Sequence, residues 1–171
     1  GLNILLLFFI ITFNYEQFVE LPKATANQLA EETHERVGAV IGSIVMAIVV
    51  IMFYFKGSFN FDKKAKFLKI LAQIWVFLNA ILVISAMLKN TEYIYYLGLT
   101  YKRLGVYAFL SLAIIGLIFT FIKVSKQKTN AYLFNQMFWY VYGTILVCSF
   151  INWGGIITSH NLKREDFAAN Y

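Results

Sequence analysis

Glu31 and His34 stand at Glu-x-x-His spacing, which on a helix sets a carboxylate and an imidazole one turn apart on the same face. Di-metal carboxylate bundles take such a pair from each of two helices. Glu35 adjoins the pair, and His160, with Glu165 and Asp166, falls on the same side of the loop alternation set out below. Glu31, His34 and His160 are therefore the candidate metal ligands. The pair occurs once and no HExxH helix motif accompanies it, so the plainer reading is an acid-rich helix leading into a membrane. No glycine loop for phosphate and no serine or cysteine nucleophile in a recognised elbow is present. Cys148 is the single cysteine and lies in an apolar run, which excludes a disulfide or a cysteine metal site within the chain. No catalytic residue and no cofactor is assigned.

The elements that must position these residues are overwhelmingly apolar. The chain is 60% hydrophobic, 18% aromatic and 14% charged, whereas soluble domains run at roughly 45–50% apolar and about 25% charged. The composition predicts an all-α fold, a polytopic transmembrane helix bundle forming one domain over residues 1–171. Residues 37–55 carry no charge over a length that crosses a bilayer. Residues 67–88, 104–122 and 131–151 make three further spans, and residues 2–13 read as a truncated N-terminal span of a longer chain. Between them, residues 14–36 are expected as an extracytoplasmic loop with a short helix over 24–36. Residues 90–103, rich in tyrosine, are expected to lie at the headgroups, and residues 153–171 to leave as an extracytoplasmic tail.

Successive loops must alternate sides. One side collects Lys56, Lys63, Lys64, Lys66, Lys69, Lys123, Lys126 and Lys128 against Asp62 alone. The other holds Lys23, Arg36, Lys89, Lys102, Arg103, Lys163 and Arg164 against eight acids. Compact lysine loops favour the cytoplasm. The net charge of +6 is thus spread over short loops rather than gathered on one solvated face, which argues against nucleic acid and for contact with membrane lipid.

In hydrocarbon, small residues and interhelical hydrogen bonds draw helices together. Gly38 and Gly42, the row Ala39, Ser43 and Ala47, the stripe Ala72, Asn79 and Ala86, and the set Gly105, Gly116 and Thr120 are the expected packing faces. Gln73, Asn79, Asn135, Gln136, Thr144 and Asn152 are read as interhelical glue. No Asp, Glu or Arg reaches mid-span, which argues against a carrier built from these helices alone.

Several segments together resemble a family of multi-pass bacterial membrane proteins, domain of unknown function 4173. They are His34-Glu35 with Val37, Ser43-Ile44, Trp75 and Asn79, Tyr93-Ile94, the run Gly98-Leu99-Thr100-Tyr101-Lys102-Arg103, Asn152-Trp153 and Asn161-Leu162. The resemblance covers residues 31–163. Gly154 and His160 depart from its usual tail, where an acidic residue and an aromatic stand. The resemblance implies a bacterial inner (cytoplasmic) membrane protein with further spans before residue 1 and a soluble segment after 171, and it implies no reaction.

The expected function is a non-enzymatic scaffold or accessory subunit of an envelope complex, with other membrane or envelope subunits as partners. The alternatives are a transport or sensing protein sharing its pathway with other spans, and a metal-dependent envelope enzyme. The polar cluster expected to matter comprises Glu31, His34, Glu35, Asn79, Thr100, Arg103, Asn152 and Asn161, with Glu31 or Glu35 pairing Arg103.

Overall fold

A chain that stays in hydrocarbon must satisfy every backbone amide internally, and a helix does so within one segment. In the computed structural model every long element is accordingly an α-helix. It describes residues 1–19, 26–56 and 65–163, with the side chains of all but 16–19, 26–36 and 96. The elements are α1 (Leu2–Val19), α2 (Ala26–Tyr54), α3 (Lys66–Leu97), α4 (Tyr101–Ser125), α5 (Asn130–Phe150) and α6 (Trp153–Leu162). No strand occurs among the described residues. The protein is an all-α membrane bundle.

Two elements run past the borders that hydropathy suggests. The expected short helix before Arg36 and the span from Val37 are one helix of 29 residues, α2. The tyrosine-rich stretch expected as an interfacial connector is mostly the end of α3, a helix of 32 residues. At 1.5 Å per residue α3 is about 48 Å long, well beyond a hydrocarbon core of about 30 Å. Solvation changes along its length, but no glycine or proline interrupts the hydrogen-bond ladder until Gly98.

α2, α3 and α4 are each long and apolar enough to cross a membrane. α5 and α6 meet at 66° and count as a fourth crossing when taken as one bent span. α1 contributes a shorter apolar helix, Leu2–Tyr15. Helix α3 is central, packing against α1, α2 and α4, while α5 lies against α4. Asn3 Nδ2 donates to the Leu71 carbonyl at 3.1 Å and Asn130 Nδ2 to the Met52 carbonyl at 3.2 Å. The first bond joins the starts of α1 and α3, the second joins the start of α5 to the end of α2, and Val50, Ile51 and Tyr54 of that end share one groove with Ile4 and Leu68. That end carries the lysine loops, and the α3–α4 connector lies at the other.

The core follows helical spacing. Val40, Ile44, Ala47 and Ile51 line the inner face of α2, and Leu110, Ala113, Leu117 and Val124 that of α4. On α3 the stripe Ala72, Asn79 and Ala86 is buried as expected, and Asn79 Nδ2 donates to the Trp75 carbonyl at 2.8 Å. Gly38 and Gly42 do not pack against the described residues: both are exposed, and a Cβ added at either would meet none of them within 4 Å. The aliphatic row one step round the helix makes the contact instead. Small residues permit close approach without compelling it. Gly105 also faces open space, whereas Gly116 lies under Met137 and Ile48. Lys123, expected as an ordinary loop lysine, is fully buried.

Candidate functional site

At the end opposite the lysine loops, three residues turn the chain between α3 and α4. The turn begins at Gly98, whose φ of 82° and ψ of 173° suit a residue without a Cβ. Its N–H closes α3 on the Ile94 carbonyl at 2.8 Å. Thr100 is extended and caps α4, its hydroxyl accepting from the Arg103 N–H at 3.4 Å. A turn between two helices leaves main-chain groups that each need a partner.

Side chains from three helices supply those partners. The Arg103 guanidinium donates to the Gly98 carbonyl and lies over the Tyr93 ring, 4.0 Å from its centroid. Asn90, fully buried on α3, donates to the Arg103 carbonyl at 3.2 Å. From α6, Asn161 pairs with Leu99 twice. Its Oδ1 accepts from the Leu99 N–H at 2.8 Å and its Nδ2 donates to the Leu99 carbonyl at 3.0 Å. The carboxamide thus copies a neighbouring peptide unit and ties α6 to the connector. A hydrogen bond between Thr91 and Tyr107 joins α3 to α4 one turn below.

α6 reaches the connector because α5 ends in a sharp corner. Ile151 is extended, and Asn152 caps α6 by accepting from the Gly155 N–H at 3.1 Å. The Trp153 indole donates to the Cys148 carbonyl at 2.7 Å, satisfying one of the carbonyls that the end of α5 leaves open. Gly154 sits under Tyr101, whose hydroxyl lies 3.1 Å from where a Cβ would stand.

Of the expected cluster, Thr100, Arg103 and Asn161 meet at this connector, and Asn152 forms the corner that delivers Asn161. Asn79 stands apart, 19 residues down one continuous helix and so about 28 Å away. The side chains of Glu31, His34 and Glu35 lie outside the described residues, and with them the expected pairing of an acid to Arg103. His160 is exposed beside Asn161 on α6. Among the described residues no three His, Cys, Asp or Glu side chains group as metal ligands would. Asn90 was not singled out by sequence; its signal was an amide placed just past an apolar run. The geometry holds main chain in place.

A long-helix membrane bundle whose exposed ends are tied by side-chain to main-chain bonds is the class these features define. The profile of a family described as domain of unknown function (DUF4153) matches residues 1–171. The chain belongs to that family, which corrects the 4173 expected from the short segments and agrees with it on a membrane domain of unknown function. No curated protein and no solved structure matches the chain.

Proposed function

We propose that this chain is a non-catalytic scaffold or accessory subunit of an envelope complex in a bacterial inner membrane, with its lysine loops in the cytoplasm and the clamped connector outside. The observation that carries the reading is the clamp itself. Asn90, Arg103 and Asn161 each donate to main chain of another turn or helix, as a positioning device requires. A catalytic set would instead converge on a point where a substrate atom could sit. Support also comes from α5, which buries only Leu133 against the bundle. It leaves Phe134, Phe138, Trp139 and Tyr142 exposed, with Phe138 and Tyr142 stacked at 6.4 Å.

A transport or sensing pathway draws less support. The polar groups deep in the spans close on their own helices, Asn79 on Trp75, Thr120 on Gly116 and Thr144 on Tyr140. The test is native purification of the full-length protein with surrounding lipid, followed by mass spectrometry. Stoichiometric partner subunits, lost or weakened in Asn161→Ala, are expected. A solitary protein at native abundance would contradict the proposal.

A further inference from the structure

A groove of about 460 Å³ opens between the lysine-end halves of α1, α2 and α3. Its walls are Ile4, Val50, Ile51, Leu71 and Trp75, and Asn3, also on the wall, spends its amide on the Leu71 carbonyl. Gly1 and Leu2 complete the α1 wall, and Ile4 is 72% exposed, so the groove is open along α1 while Ile51 closes its floor. Along α3 its wall runs from Leu68 to Trp75, seven residues and about 10 Å. That is about a third of a hydrocarbon core of about 30 Å, within the depth of one leaflet.

We propose that this groove holds one anionic phospholipid, an acyl chain lying along Leu71 and Trp75 and the phosphate at Lys56 and Lys66. Charge selects this occupant. Lys56 follows Phe55 of the α2-side wall, Lys66 stands two residues before Leu68 of the α3 wall, and both are exposed. Lys126 and Lys128 are exposed at this end too, and Glu92, the one acid whose side chain is described, lies at the other. Exposed lysines beside an apolar slot that fits within one leaflet match the two halves of such a lipid, and the match does not depend on the scaffold proposal.

The test places full-length protein in nanodiscs of equal phosphatidylglycerol and phosphatidylcholine and reads retained lipid by native mass spectrometry. One phosphatidylglycerol is expected to stay bound in preference. Replacing Lys56→Gln and Lys66→Gln lowers that preference on the order of fivefold per lysine, without touching the core. Val50→Trp fills the slot and reduces retention of both lipids. Lys126→Gln, on the α4–α5 turn, changes neither. Equal retention of the two lipids by the unaltered protein would overturn the proposal. So would an equal loss in Lys126→Gln, or full retention in Val50→Trp. A second copy of the chain retained in place of lipid would overturn it as well.

Discussion

At the scale of single residues, the connector depends on groups with nothing else to bond. Leu99 is 7% exposed, so water does not replace Asn161 when its carboxamide is removed. Asn161→Ala is expected to cost about 1–3 kcal/mol for each main-chain group left unpaired. A lowered thermal midpoint of the full-length protein in nanodiscs would show it. Gly98 carries a different constraint. A side chain at φ 82° and ψ 173° is strained whatever space surrounds it, so Gly98→Ala should cost about 1–3 kcal/mol in the same measurement. Gly154→Asp should cost less, because the atom it meets is the far end of the Tyr101 side chain. These roles were only partly legible in sequence. The run from Gly98 to Arg103 stood out, and Asn161 was marked within the polar cluster, but nothing in its surroundings hints that it will mimic a peptide for a leucine 62 residues away.

At the scale of elements, helix identity was legible and helix extent was not. Charge-free runs announced α2 and α4, since nothing but a helix satisfies so long an apolar backbone in lipid. The ends were misplaced because hydropathy marks where the solvent changes, while a helix stops where its ladder is broken, as at Gly98. The packing faces show a second limit. Ala72, Asn79 and Ala86 face the bundle, whereas Gly38 and Gly42 look outward. Two substitutions separate these cases. Ala86→Leu, forced into a fully buried site, should destabilise by about 1–3 kcal/mol. Gly38→Ala should leave stability unchanged or raise it by about 0.5–1 kcal/mol, since alanine is the better helix former and no neighbour is crowded. Thermal unfolding of the two variants side by side checks both. A destabilised Gly38→Ala would mean that this face is occupied in the full-length protein.

At the scale of the whole molecule, the fold sorts its polar chemistry to two ends. The lysine end is cationic and grooved, and the opposite end is tied into one surface by α3, α4 and α6. That division rests on α5 and α6 acting as one bent crossing, which returns Asn161 to the side where α3 ends. Composition gave the bundle and loop charge gave an orientation, yet the corner at Ile151 and Asn152 was invisible to both because it falls where an ordinary span would end. The most direct measurement is cysteine accessibility in intact cells. Full-length protein freed of its native cysteines, Cys148→Ser among them, would carry one new cysteine at Lys56, Lys102, Lys126 or Lys163. An impermeant thiol reagent should label positions 102 and 163 in intact cells, and positions 56 and 126 only after the membrane is opened. Labelling of 126 and 163 from the same side would contradict the account, since α5 and α6 would then enter and leave the bilayer on one face.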